Sequence, residues 1–537
     1  MSSAAPKVPD NLGHRASRGI AMTVGGLWSR TVLQTLSTVV LARLLLPEDF
    51  GLLAMVTAIA GVADLVRDFG MTGSIIQAKT MSDELWRSVL WFSVALGAVL
   101  SIIMAACAPL IAALYGEPRL VLLTLVMAPG LLLNGVAMPM QARATRDLRF
   151  GALAKIDVIS AAAGVAVGIA AGFAGWGVWA LIAMGGGSGM TRLVMLWLVA
   201  KPKFGRPRIR REVLPIITTG GNIFGNEFLN YAERNIDNVI IGQQLGPAVL
   251  GQYSRAYALF LLPLQQLNGP IGRVALPVLS KLRDDPERYR RYIRGAVLMI
   301  GYLTLPTYAV AAAVAPSLIS LLLGDGWSQA ATIFSLLSIA GFVQAITKVR
   351  GWLYITLDRS HRQFMYDLVT RPMVMAGFFL GVWLGGVYGV AIVYGLLTLA
   401  LLVPGFYFAI KGTFVHAGDI VLPILRPAAL ALLAFGCAFT VTAMTDFPTV
   451  GELAVGMAAG LVPFAFALML PPYRRDLGTM LEFVKRMRKS KKVVEEEVPE
   501  LTEIDDSVQE AIVEDVEFGQ SDKRPDAASP PDRKPKH

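Results

Sequence analysis

Apolar residues dominate this chain in long runs separated by short polar joints. A run of roughly 18–20 mostly apolar residues is what a helix needs to cross a bilayer. Because lipid cannot satisfy backbone N–H and C=O groups, such runs are expected to be helical. The pattern predicts about fourteen transmembrane helices, over 20–46, 50–77, 87–114, 119–141, 153–174, 176–200, 213–242, 249–276, 292–323, 329–356, 363–386, 387–410, 420–444 and 449–470. The expected fold class is therefore an all-α polytopic membrane protein. The first run is too long for the apolar core of a cleaved signal peptide, and no small-residue cleavage site follows it closely.

The pattern also repeats. LARLLLPEDFGLLA (41–54) aligns without gaps on IGQQLGPAVLGQYS (241–254), placing Pro47 on Pro247 and Gly51 on Gly251. CAPLIAALYG (107–116) resembles VAPSLISLLLG (314–324), with Pro109 opposite Pro316, and TVGG (23–26) resembles TTGG (218–221). Three matches in the same order predict two six-helix lobes, 18–200 and 213–411, related by an internal repeat. Both would start from the same side of the membrane, as in transporters whose halves rock about a midplane site. Helices 13 and 14, within 412–471, fall outside the repeat and read as an appended, lipid-facing pair.

Charge changes the picture in one respect, topology. Only 16% of residues are charged while 54% are hydrophobic, against about 25% charged in a soluble chain. With the N-terminus (1–17) in the cytoplasm, alternate short loops collect Lys and Arg: Arg143, Arg146 and Arg149; Lys201 to Arg211; Lys281 to Arg291; Arg359 and Arg362. The intervening loops contribute only Arg119, at a span edge. That asymmetry sets orientation, puts both termini on the cytoplasmic side, and accounts for the net charge of +10 without a nucleic-acid partner. Cys107 and Cys437 fall inside predicted spans, where thiols act as small apolar groups, and the four histidines show no metal-ligand spacing.

Three segments are not membrane-spanning. Residues 201–212, KPKFGRPRIRRE, form a basic cytoplasmic linker between the lobes. Residues 472–492 carry Leu477, Met480, Leu481, Val484 and Met487 at helical spacing beside Lys485–Lys492, and are expected to lie along the anionic cytoplasmic interface. Residues 493–537 are acidic, then polar and Pro-rich, a composition expected to be disordered.

Candidate chemistry lies in ionisable groups inside the spans, which are costly in lipid and so usually face a protein interior or a wet cavity. Span 1 carries Arg30 and Gln34, span 2 Asp64 and Arg67, span 8 Arg255, span 10 Lys348 and span 11 Arg371. Span 7 is richest: Asn226, Asn230 and Arg234 recur every four residues, with Glu227 and Asp237 beside them. A four-residue repeat drifts slowly around a helix, giving a turning polar stripe. Asp64 with Arg67, and Arg234 with Asp237, stand three residues apart and could equally pair within their own helices. Arginine suits phosphate, its planar fork bonding two oxygens, and Asn and Gln suit sugar hydroxyls. A lipid bearing phosphate and sugar fits the mixture, as would an anionic drug or a nucleotide sugar.

The blocks SRGIAMTVGGLWSRTVLQTLSTVVLARLLLPEDFGLLAMVTAI, NYAERNIDNVIIGQQLGPAVLGQYSRAYAL and IGRVALPVLSKL resemble the bacterial polysaccharide transporter family, the Wzx-type oligosaccharide flippases, and their colanic-acid-exporter-like branch in particular. The resemblance covers roughly 15–470 and extends to a superfamily that also holds multidrug extruders and lipid II flippases. It implies a monomeric, two-lobed transport unit in the bacterial inner membrane that flips an undecaprenyl-pyrophosphate-linked oligosaccharide by alternating access, in the company of other polysaccharide-assembly proteins. Arg30, Arg67, Arg234 and Lys348 or Arg371 would then hold the pyrophosphate, and Asn226 and Asn230 would line the glycan path. Asp64, Glu227 or Asp237 would pair with the arginines or carry a coupling ion, a proton or sodium. No other cofactor is expected. The rivals are a lipid II-type flippase, a drug/cation antiporter, whose cavity should be acid-dominated, and a membrane glycan polymerase. The short outer loops and the lack of zinc, Walker or nucleophile motifs argue against an enzyme.

Overall fold

The computed structural model describes residues 12–68, 75, 82–201, 214–445 and 447–483; within these, side chains at 12–24, 27, 214–226, 267, 268, 270 and 273 are not described. The chain divides into Arg18–Val484 and a second unit of Met1–Ser17 together with Lys485–His537, of which only 12–17 are described, as helix. The expectations for residues 1–11, for 202–212 of the linker, for 484–492 and for the tail 493–537 lie outside the described residues.

The first lobe is built from α1 (Leu12–Leu44), α2 (Pro47–Asp68), α3 (Asp83–Ala106), the short α4 (Ala108–Tyr115), α5 (Arg119–Met127), α6 (Pro129–Arg146), α7 (Phe150–Phe173) and α8 (Val178–Ala200). The second contains α9 (Leu214–Lys281), α10 (Pro286–Ala313), the short α11 (Ala315–Leu323), α12 (Ser328–Thr356) and α13 (Ser360–Ile410). Two of these are hairpins. Helix α9 breaks at Gly246, where φ is 82°, and its arms fold together so that Asp237 meets Tyr253. Helix α13 breaks at Gly385 and Gly386, bringing Gly381 against the backbone of Val390 and Gly377 against Val393. At both breaks a glycine takes the positive φ that a side chain resists.

The internal repeat is visible in detail. Each lobe follows its third crossing with a short helix opened by proline, Pro109 in α4 and Pro316 in α11. Each short helix ends at a glycine with positive φ, Gly116 at 67° and Gly324 at 99°. Among the described residues ten helices are long and apolar enough to cross a membrane by length and composition, all-helical and multi-pass as expected. Helices α1 and α9, which carry the polar rows, are not among the ten.

The lobes meet where the repeat is clearest. The start of α2 crosses the start of the second arm of α9, so that a Cβ on Gly51 would overlap the Pro247 carbonyl, and one on Gly251 would overlap that of Pro47. Small residues let transmembrane helices approach this closely. Around the crossing, Trp327 donates through Nε1 to the Ala42 carbonyl at 2.9 Å and stacks edge-on against Phe50 at 5.4 Å. Arg43 donates to the Leu321 carbonyl, and Tyr115 to that of Met55 at 3.3 Å, with its ring against Gly242. By the loop-charge orientation, all of these contacts sit at the outer face.

Helices α14 (Gly418–Met444) and α15 (Thr449–Ala467) are held more firmly than a lipid-facing pair requires. Asp419, 1% exposed, accepts from Arg290 Nε at 2.8 Å, Arg294 Nε at 2.6 Å and the His416 backbone N–H at 2.9 Å. Gly456 and Gly460 lie against Val314 and Val310. The opposite faces, with Leu432, Phe439 and Leu461, are exposed. A last helix, α16 (471–483), is tied to the same side: Asp476 accepts from Arg426 at 2.8 Å and Tyr302 at 2.9 Å. Its Phe483 ring packs 4.8 Å from Tyr292, while Leu477 and Leu481 are exposed. At the inner face, Arg359 donates to the Lys411 and Gly412 carbonyls, both at 2.6 Å. An arginine there both orients the chain and satisfies carbonyls orphaned at a helix end.

Gly51→Val and Gly251→Val should each hold the outer ends apart, because neither overlapping carbonyl can move aside by rotamer change. With Cys107 and Cys437 replaced by serine, a cysteine at Met55 should then react several-fold faster with a membrane-impermeant thiol reagent added outside. Unchanged labelling would show that the crossing is looser than its geometry.

Candidate functional site

The contacts between lobes continue inward from the outer face to Tyr231. Its hydroxyl donates to the carbonyls of Thr57 at 3.0 Å and Ala58 at 3.1 Å, and its ring leaves no room for a Cβ at Gly61. Beyond Tyr231 toward the cytoplasm, α2 carries Asp64 and Arg67, and the first arm of α9 carries Asn230 and Glu227. Tyr231 therefore forms a ceiling, with Asp64 within its electrostatic reach.

On the first lobe, Arg67 Nη1 pairs with Asp64 at 3.0 Å, the local pairing that the three-residue spacing allowed. Arg67 Nε is nevertheless buried with no hydrogen-bond partner. Arg30 is half-buried and Gln34 exposed on α1, next to exposed Trp28, Val32 and Leu36.

On the second lobe the charges form a chain across three helices. Arg371 on α13 lies 3.5 Å from Glu233 on α9 and 3.2 Å from Asp367, one turn earlier on its own helix. Asp367 in turn stands 3.8 Å from Arg350 on α12, whose guanidinium lies over the Tyr366 ring at 4.7 Å. Arg371 Nη1 is buried without a hydrogen-bond partner. Arg234 and Lys348 are exposed and close enough for their charges to repel, as two cations facing one space would.

The polar stripe of span 7 does not face one way. Asp237, 2% exposed, turns into the α9 hairpin, where it accepts from Tyr253 at 2.8 Å and the Asn238 backbone N–H at 2.8 Å. Among the described residues no ion pair joins it to Arg234, its carboxylate being taken up by Tyr253 and the Asn238 N–H within the hairpin. Arg255 belongs to the outer crossing, its guanidinium 4.8 Å above the Phe50 ring. Glu227 is exposed and Asn230 half-buried, and the Asn226 side chain lies outside the described residues. Thus Asp64 and Arg67, with Glu227 and Asn230, lie on the inner side of Tyr231, whereas Arg234 and Asp237 follow it along α9 toward the outer end and Arg255 belongs to the crossing; Arg371 joins through Glu233.

Four contributors were not among the candidate site residues, although Arg350 and Asp367 are ionisable positions of spans 10 and 11. Glu233, Asp367 and Arg350 complete the second-lobe chain, and Asp367 is one helical turn from Arg371, the same signal that singled out Asp64 with Arg67. Tyr231 has no signature in the sequence, because its role depends on a glycine in another lobe.

The family described as polysaccharide biosynthesis protein matches residues 40–332. The chain is 23% identical to a teichuronic acid biosynthesis protein, TuaB, of Bacillus subtilis, over 76% of this chain and 85% of that one. It is 24% identical to the lipopolysaccharide biosynthesis protein WzxC of Escherichia coli, over 69% and 76% respectively. It is also 24% identical to the succinoglycan biosynthesis transport protein ExoT of Rhizobium meliloti, over 56% and 61%. Among solved structures, the lipid II flippase MurJ in an inward closed conformation superposes with a TM-score of 0.66 at 13% identity, covering 84% of this chain and 99% of that one. An inward-facing multidrug transporter of the MATE family superposes at 0.54 and 14% identity, covering 71% and 93%. These likenesses describe the fold alone. With more than half its length matched by the family, the chain belongs to the polysaccharide biosynthesis protein family.

Proposed function

We propose that the protein is a flippase that carries an undecaprenyl-pyrophosphate-linked oligosaccharide from the cytoplasmic to the outer leaflet of the bacterial inner membrane, with both termini cytoplasmic, to supply surface polysaccharide synthesis. The observation that carries this reading is the pairing of two arginine-bearing faces, Asp64–Arg67 from one lobe and Glu233–Arg371–Asp367–Arg350 from the other. Each holds a buried guanidinium N–H without an acceptor. A pyrophosphate supplies oxygens for such groups in the planar geometry that arginine favours.

Alternating access follows from the same arrangement. With the outer ends crossed at Gly51 and Gly251, the charged faces are reached from the cytoplasmic side. A pyrophosphate bridging Arg67 and Arg371 would draw the inner halves together, and the rigid lobes would then part at the outer crossing. Glycan would follow through the polar space lined by Asn230 and Gln34, while the prenyl chain stays in lipid. The carboxylates serve release: Asp64, Glu233 and Asp367 keep the arginines from being unopposed charges when the cavity is empty, and compete with the departing phosphate. The relatives named for teichuronic acid, lipopolysaccharide and succinoglycan biosynthesis support a lipid-linked glycan as cargo. We place the coupling ion, proton or sodium, on the carboxylates of the second lobe, and assign the protein no catalytic chemistry.

In a flippase-deficient strain complemented by this protein, Arg67→Ala and Arg371→Ala should each lower polysaccharide export by about tenfold or more, the scale of a lost charge-assisted contact, with membrane insertion unchanged. Wild-type export from both would contradict the reading. Glu233→Gln should act oppositely on binding and turnover: a freed Arg371 holds a prenyl pyrophosphate more tightly and releases it more slowly. Tighter binding with slower flipping in proteoliposomes is the expected pair of results.

A further inference from the structure

A second charged hollow lies away from the space between the lobes, at the inner end of the first lobe. It is partly open, has a cavity volume of about 90 Å³ and is lined by Ile75, Asp83, Trp86, Arg143, Arg146 and Asp147. Two helix ends make it, the first turn of α3, capped by Ser82, and the last turn of α6. Loop charge places both ends at the cytoplasmic headgroup layer.

Its chemistry is specific. The Arg143 guanidinium lies 5.1 Å above the Trp86 ring and 3.7 Å from Asp83, which fixes its plane. Arg146 donates to the Ile75 carbonyl at 3.0 Å, anchoring the second guanidinium beside the first. Trp86 is 3% exposed, and its indole N–H is buried with no hydrogen-bond partner. An unmade bond by a buried donor is destabilising, so a ligand oxygen is the natural acceptor. Two guanidinium groups and an indole N–H suit a phosphate. The two carboxylates at the same hollow, Asp83 and Asp147, bring its formal charge to zero, which disfavours a purely anionic ligand and suits one that also carries an ammonium.

We propose that this hollow binds the headgroup of a zwitterionic phospholipid with a primary ammonium, a phosphoethanolamine, from the cytoplasmic leaflet. Arg143, Arg146 and the Trp86 N–H take the phosphate, and Asp83 and Asp147 take the ammonium. A primary ammonium offers three N–H donors to the carboxylates, whereas trimethylammonium offers none. The bound lipid braces the inner ends of α3 and α6, independently of what the central space transports.

Native mass spectrometry of the full-length, delipidated protein tests this with short-chain phosphatidylethanolamine, phosphatidylglycerol and phosphatidylcholine. Wild-type protein should retain phosphatidylethanolamine at least about fivefold better than either, the size of one extra charge-assisted bond. Trp86→Phe keeps the ring under Arg143 and should weaken that retention; Arg143→Gln with Arg146→Gln should abolish it. Asp83→Asn with Asp147→Asn should reverse the order, so that phosphatidylglycerol is held best. Equal retention of the three lipids by wild type, or an unchanged order in the double aspartate variant, would overturn the proposal. Displacement of the lipid by equimolar inorganic phosphate or free phosphoethanolamine would also overturn it, by assigning the hollow to a soluble phosphate.

Discussion

Two glycines without side chains, Gly51 and Gly251, determine how the rest of the molecule is arranged. Each faces the carbonyl of the proline that opens the other's helix, Pro247 and Pro47, at a separation that excludes any Cβ. The contact is reciprocal because the two segments are copies of one another, so the crossing marks the pseudo-twofold relation between the lobes. Aromatic and polar contacts then surround it: Trp327 on Ala42 and Phe50, Arg255 over Phe50, Tyr115 against Gly242. A close backbone approach of this kind is strong when made and forfeited when opened, as a two-state joint requires.

The charges make sense only in relation to that joint. Ionised groups within a membrane are tolerated where water or partners reach them, and here they fall into three settings. Asp237 is enclosed with Tyr253 inside a hairpin. Asp419 is enclosed between Arg290 and Arg294, fixing α14 to α10; removing one partner of such a buried pair is more damaging than the pair is stabilising. The third group, Arg67 and Arg371 with their carboxylates, keeps unmet donors. The first two settings are structural; the third is the one with capacity left to bind.

Much of the architecture was legible in the sequence because it is written in local pattern. Apolar runs marked the helices, and the Pro–Gly spacing at 47–51 and 247–251 marked the repeat. The reach of the pattern ended where contacts between distant segments decide. Asp237, beside the four-residue row on span 7, looked able to pair with Arg234, yet the other arm of its hairpin supplies Tyr253 as its partner while Arg234 stays exposed. Arg255 looked like a cavity cation, but Phe50 of the other lobe holds it at the crossing. Glu233 gained its meaning from Arg371, well over a hundred residues away. Helices 13 and 14 looked merely appended, since Asp419 reveals its role only beside the arginines of α10.

The central claim is that the empty protein is closed at its outer face by the Gly51–Gly251 crossing and opens there when cargo joins the two arginine faces. Spin labels at Phe173 and Leu384, exposed at the outer ends of α7 and of the first arm of α13, would read that movement directly by double electron–electron resonance, with both native cysteines replaced. The account predicts one short, narrow distance population without ligand and a longer one when an undecaprenyl-pyrophosphate-linked glycan is added. A broad or long population in the empty protein, unmoved by that ligand, would contradict it.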